Sequence, residues 1–165
     1  MIDGRGQRDD IGYPMSVPSW RDHGAEIAAV GWDGASRTGM VRLDLEPAYP
    51  EDLGVLLYER DLLFPGGRRI VVRDRVVLAE PRTLSWLFHA RDDIGLAPEE
   101  GLRFRAGTDP YLSIEPGPAD VRLSASVGGT DVVYSYTPFK PVFVHIRYDT
   151  AAPVSAATVD YAVVW

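Results

Sequence analysis

The sequence predicts an all-β protein, an antiparallel β-sandwich of roughly ten strands. Three observations carry this. Sixteen glycines and thirteen prolines interrupt the chain so often that few windows of about a dozen residues could hold a helix. The runs between those breakers are rich in β-branched and aromatic residues, which suit a pleated surface. Several runs also alternate apolar and polar residues with a period of two, the pattern of a strand with one buried face.

In chain order, residues 1–25 are expected to form an extended N-terminal arm or loop, on the prolines and glycine between Asp9 and Ser19. Residues 26–165 are expected to form the sandwich, the whole chain being one domain. Strands are expected at 26–31, 40–46, 55–64, 69–79, 84–90, 102–105, 111–115, 120–127, 131–137, 142–148 and 155–164. Leu84, Trp86 and Phe88 share one face by alternation, as do Val142, Val144, Ile146 and Tyr148. Val121, Leu123, Ala125 and Val127 form a third such row, and Val159, Tyr161, Val163 and Trp165 a fourth. Pro65-Gly66-Gly67 predicts a hairpin turn, and Gly128-Gly129 predicts another.

Composition narrows the function classes. A formal net charge of −7 argues against nucleic acid or an anionic membrane as partner, since both require a basic face. Sixteen arginines against the single Lys140, with no asparagine, match GC-rich coding and are not by themselves functional. The absence of cysteine excludes disulfides, thiolate metal sites and cysteine nucleophiles. No apolar run reaches the ~18–20 residues of a membrane span, and the first ten residues lack the apolar core of a signal peptide. The compartment is therefore unknown from this chain, and extracytoplasmic or periplasmic if the chain belongs to a larger exported enzyme.

Catalytic constellations are sparse. His23, His89 and His145 stand far apart without metal-ligand spacing, so no metal and no cofactor is expected. No Gly-x-Ser-x-Gly elbow is present, and Gly4-Arg5-Gly6 lacks the third glycine of a phosphate loop. The acidic pairs Asp9-Asp10, Asp92-Asp93 and Glu99-Glu100 are sequence neighbours, not carboxylates opposed across a cleft. Arg68, Arg69, Arg73 and Arg75, with Trp20 and Trp32 near loops, have the chemistry that sugar rings and their carboxylates recognise: an apolar face and a bidentate donor.

Five stretches, taken in order, resemble one family. Ile2-Asp3-Gly4-Arg5-Gly6-Gln7 resembles the segment that follows a His-Asn pair in the heparinase II/III-like polysaccharide lyases. Leu43-Asp44-Leu45-Glu46-Pro47-Ala48-Tyr49 is similar to that family's aspartate-to-tyrosine stretch. Tyr58-Glu59-Arg60-Asp61-Leu62-Leu63-Phe64, Ile70-Val71-Val72-Arg73-Asp74-Arg75-Val76 and Leu84-Ser85-Trp86-Leu87-Phe88-His89 resemble three of its strands. The match runs from Met1 to about Ile94, the remainder fitting the family's closing strands more loosely.

The resemblance implies the C-terminal β-sandwich portion of an enzyme whose other part is an α/α toroid. Such enzymes cleave uronic-acid polysaccharides by β-elimination, and some members hold zinc in an earlier region. The catalytic groups come from the toroid and from the β-region before the His-Asn pair. This chain begins after that pair and contains no asparagine, so no catalytic or metal position transfers to it.

The expected role is thus non-catalytic: support of the fold and of the rim of a glycan cleft, with Arg5, Gln7 and Trp20 as candidate substrate-binding residues. The expected partners are an acidic polysaccharide held by the parent enzyme, and a toroid domain or a second copy in contact with the sandwich. Two other readings stand beside it, an autonomous carbohydrate-binding module and a structural or dimerisation domain.

Overall fold

The computed structural model describes residues 1–5, 24–91, 96–98, 104–106, 112–131 and 142–164. They form eleven strands: β1 Glu26–Asp33, β2 Thr38–Asp44, β3 Val55–Phe64, β4 Arg69–Arg82, β5 Ser85–Arg91, β6 Leu96–Pro98, β7 Phe104–Ala106, β8 Leu112–Ala119, β9 Leu123–Asp131, β10 Val142–Thr150 and β11 Val154–Val164. Two single-turn 3-10 segments, Glu46–Ala48 and Glu51–Leu53, join β2 to β3.

Eight strands build a large sheet in the order β1-β2-β3-β4-β11-β8-β7-β6, and three build a small one, β5-β10-β9. Every pairing is antiparallel. The small sheet lies over the large one around Tyr161 of β11, whose ring centroid is 5.0 Å from Phe88, 5.2 Å from Tyr148 and 6.1 Å from Trp86. Around these rings Ile146, Val159, Val76 and Ala157 are almost completely removed from solvent. The alternation within the sequence has become the two sides of a sandwich.

The chain passes between the sheets four times, and two of these corners are adjacent. One joins β4 to β5 through Thr83 and Leu84, and the other joins β10 to β11. They are bonded to each other: the Leu84 N–H donates to Thr150 Oγ1 at 3.1 Å, and the Thr150 N–H donates to the Leu84 carbonyl at 3.0 Å. The start of the chain closes the same corner. Ile2 is fully buried and bridges Leu84, so residues 1–5 of the expected arm begin inside the core.

The turn at Pro65-Gly66-Gly67 forms as expected, with φ of 89° at Gly66 and 71° at Gly67, values an L side chain resists. Gly128-Gly129 does the opposite of what its sequence predicts. Both residues lie inside β9, where Gly129 pairs with Val144 and Gly128 with His145 of β10. A long partner strand holds them extended, and a glycine pair left without such a partner would have turned. The expected break between strands at 120–127 and 131–137 is therefore corrected to one strand, Leu123–Asp131; residues 132–137 lie outside the described residues. β8 carries Pro116 beyond Ile114, its last residue in register with β7, so that among the described strands only β11 pairs with it. A β-bulge sits there: Val159 pairs with Ala119 but Tyr161 with Pro116.

Tyr161→Ala is expected to remove about 3–5 kcal/mol of unfolding free energy, because the ring is fully buried where the two sheets meet. Val127→Ala, at a half-exposed site, is expected to change it by less than about 0.5 kcal/mol. Denaturant unfolding of the two variants measures both.

Candidate functional site

Residues directly opposite in antiparallel strands share a face, so the registers sort the charged residues by side. On the outer face of the large sheet, Arg42, Asp61, Arg73 and Asp160 are consecutive register partners across β2, β3, β4 and β11. Their signs alternate. Arg42 donates to both Asp61 oxygens at 2.7 and 2.9 Å, and Arg73 to both Asp160 oxygens at 2.8 Å. In the next row Arg75 donates to Glu59 at 2.7 Å. The Arg42 hydrogen bond holds the Asp61 carboxyl below its ordinary 3.8, with the charges of Arg42, Arg75 and Arg73 acting in the same sense. Arg73 and Arg75, whose chemistry also suits glycan carboxylates, are therefore committed to carboxylates of the chain itself.

On the inner face one row breaks the apolar pattern. Leu43, Arg60, Asp74 and Val159 are register partners, and Asp74 is fully buried. A buried carboxylate costs several kcal/mol unless its oxygens are bonded (~2–7 kcal/mol even for a neutral polar group). Both oxygens are: Arg60 Nε and Nη2 donate at 2.7 and 2.6 Å, and the Tyr58 hydroxyl donates at 3.1 Å. Tyr49 stacks on Tyr58 with ring centroids 5.4 Å apart. Burial works against the Arg60 charge, yet the bonds and charge of Asp74 outweigh it and hold its pKa above the ordinary value.

Burial raises the hydroxyls of Tyr49, Tyr58, Tyr148 and Tyr161 above the ordinary 10, and the Asp74 charge acts in the same sense at Tyr49, Tyr58 and Tyr161.

The three candidate substrate-binding residues are placed unequally. Ile2-Asp3-Gly4-Arg5 is a tight hairpin: the Ile2 and Arg5 N–H groups each donate to the other's carbonyl at 2.9 Å, with positive φ at Asp3 and Gly4. Asp3 anchors this turn, accepting from the Thr83 N–H at 2.9 Å and from Arg82 at 3.0 Å. Arg5 stands at the surface and pairs with Asp52 at 2.5 Å. Gln7 and Trp20 lie outside the described residues, as do His23 and the three acidic pairs. His89 and His145 are register partners between β5 and β10, a juxtaposition that their distance in sequence conceals. Among the described residues, no three histidine or carboxylate groups gather as a metal site.

The stretches that carry the family resemblance converge on one place. Ile2, Tyr49, Tyr58, Val76, Leu84 and Trp86 all belong to the same buried cluster. The sequence reasoning missed the Arg60–Asp74 pair, because its signal was only an arginine and an aspartate in two apolar runs.

No family model matches the chain, and no curated protein matches it in sequence. Solved structures do match in three dimensions. Heparan sulfate lyase HepC from Pedobacter heparinus superposes with a TM-score of 0.65 at 17% identity, over 84% of this chain and 21% of that one. A mutant of the same lyase gives 0.64 at 14% identity, over 98% of this chain and 27% of that one. A heparinase III, the BT4657 gene product, gives 0.59 at 10% identity, over 84% and 21%. The chain spans about a quarter or less of the length of these structures.

Arg60→Met is expected to destabilise by about 3–5 kcal/mol, since it strands a buried carboxylate, and Arg60→Met with Asp74→Leu is expected to recover most of that loss in denaturant titrations. A second expectation concerns acid. Asp61 binds its proton less readily folded than unfolded, so its contribution is complete above pH 3.8 and is lost as pH falls through the lower folded value. Arg42→Gln should lower stability near neutrality and flatten its decline below about pH 4, as thermal unfolding across pH would show.

The resemblance implied by the motif stretches is thus met in three dimensions: the chain has the fold of a portion of heparan sulfate lyase, amounting to 21–27% of that enzyme.

Proposed function

We propose that the chain is the C-terminal β-sandwich portion of a polysaccharide lyase that cleaves uronic-acid glycans by β-elimination, with the chemistry supplied by residues outside it. The single observation behind this reading is the fold likeness to heparan sulfate lyase over 84–98% of the chain. β-Elimination requires a group that neutralises the uronate carboxylate, a base for the C5 proton and an acid for the leaving oxygen. The described residues favour a supporting role. Asp74 is bonded at both oxygens, and the outer-face arginines Arg42, Arg73 and Arg75 are paired with carboxylates of the chain itself. Heparan sulfate and alginate are the substrate classes in view, and Arg5, Gln7 and Trp20 remain the proposed contacts at the rim of the cleft.

The purified chain incubated with heparan sulfate or alginate is expected to give no rise in the ultraviolet absorbance of unsaturated uronate. The genomic frame upstream of the Met1 codon is expected to run on through a His-Asn pair into a helix-rich region. Absorbance growing with the chain alone would place the lyase centre within it. A stop codon directly upstream would leave a stand-alone binding or scaffold domain.

A further inference from the structure

The small sheet has three strands and the large one eight, so part of the inner face of the large sheet extends beyond it. By register, Ile27, Val30 and Trp32 of β1 stand opposite Leu43, Val41 and Gly39 of β2 and share their face. These three apolar side chains are nevertheless 69%, 68% and 63% exposed.

Trp32, at the turn end of this strip, is held in place. The Cε3 and Cζ3 atoms of its six-membered ring occupy the space that a Cβ on Gly39 would need, so only glycine admits the indole there. Phe64 of β3 packs edge-on against it, with centroids 6.3 Å apart and planes at 72°. A shallow groove alongside is lined by Trp32, Thr38, Gly39, Met40, Phe64 and Pro65.

The turn beyond Trp32 is tied down by Asp33. Its carboxylate accepts the Ala35 N–H at 2.9 Å and the Ser36 hydroxyl at 2.6 Å, and Ser36 Oγ lies 2.7 Å from Thr38 Oγ1. The β3–β4 turn lies against the β1–β2 turn: a Cβ on Gly66 would stand 3.7 Å from the Ser36 carbonyl and 3.8 Å from Thr38 Cγ2. Together the two turns carry Arg37 and Arg68. Both are exposed, and neither pairs with an acid among the described residues. On a chain of net charge −7 this is a local concentration of uncommitted positive charge, unlike Arg42, Arg60, Arg73 and Arg75.

An exposed indole held by its surroundings offers a flat apolar face at little ordering cost. Guanidinium groups supply the planar, bidentate donors that carboxylate and sulfate accept. We propose that the adjoining β1–β2 and β3–β4 turns form a binding site for an acidic glycan, with a pyranose face on Trp32 and the anionic substituents on Arg37 and Arg68. The proposal rests on the reading of the parent as an enzyme of acidic polysaccharides and adds a place where this chain itself holds one. The arginines favour this occupant over a second copy, because planar bidentate donors match the carboxylate and sulfate groups that an acidic glycan presents.

The test is titration of the purified chain with a size-defined heparan sulfate hexasaccharide, with a neutral dextran fragment as control, followed by calorimetry. The wild type is expected to bind the acidic probe and not the neutral one. Trp32→Ala should weaken binding on the order of tenfold, the scale of one ring stacked on an aromatic side chain. Trp32→Phe should retain most of the affinity. Arg37→Gln with Arg68→Gln should weaken binding severalfold and make it less sensitive to salt. Melting curves identify any variant that fails to fold, and Trp32→Phe, which keeps a ring over Gly39, carries the test if Trp32→Ala does.

An affinity unchanged by Trp32→Ala would overturn the site while leaving the lyase reading intact. Absence of binding would overturn it too, as would a concentration-dependent dimer in sedimentation that Trp32→Ala abolishes. The converse separation also holds: Trp32-dependent binding together with a stop codon upstream of Met1 would retain the site and end the lyase reading.

Discussion

The structure depends on how the Asp74 carboxylate is accommodated. It sits on the inner face of the large sheet with no access to water, in a row whose other members include Leu43 and Val159. An ion pair at such a place adds little net stability, because desolvation of both charges opposes their attraction. Its effect is positional. Two guanidinium bonds and one phenol bond are satisfied only when β3 and β4 keep the register that sets Arg60 beside Asp74 and Tyr58 within reach. Tyr58 in turn stacks against Tyr49, which ties the segment between β2 and β3 to the same point.

The two faces of the large sheet handle charge differently. Outside, Arg42, Asp61, Arg73 and Asp160 alternate in sign across four strands, the two aspartates buried beneath partly exposed arginines. Such opposite-charge pairs suit neighbouring strands in register. Inside, one pair is tolerated because every acceptor of its carboxylate is filled. The arginines at the β1–β2 and β3–β4 turns have no such commitment among the described residues, and they differ from the others in the chemistry open to them.

The likeness to heparan sulfate lyase at 10–17% identity fits this division of labour. The residues that carry the sequence resemblance converge on the buried cluster, where Ile2, Tyr49, Tyr58, Val76, Leu84 and Trp86 pack together. Resemblance of this kind reflects what the sandwich needs in order to close. It explains why motif order could point to a fold.

By itself the sequence determined the fold class and most of the strands, because alternation of apolar side chains is a local property and one buried face is enough to impose it. Leu84, Trp86 and Phe88, or Val159 and Tyr161, could be assigned a common face from spacing alone. The Pro65-Gly66-Gly67 turn was legible for the same reason: its positive φ values are a matter of local sterics. Tertiary structure decided the rest. Gly128-Gly129 became strand because β10 offered a ladder to bond with, a fact absent from its neighbours in sequence. Ile2 became core because its chain lies beside Leu84. The Arg60–Asp74 pair and the Trp32–Gly39 contact each join residues on different strands, and only sheet register brings them together. Spacing along a chain reports which face a side chain takes, and it is silent on what stands opposite.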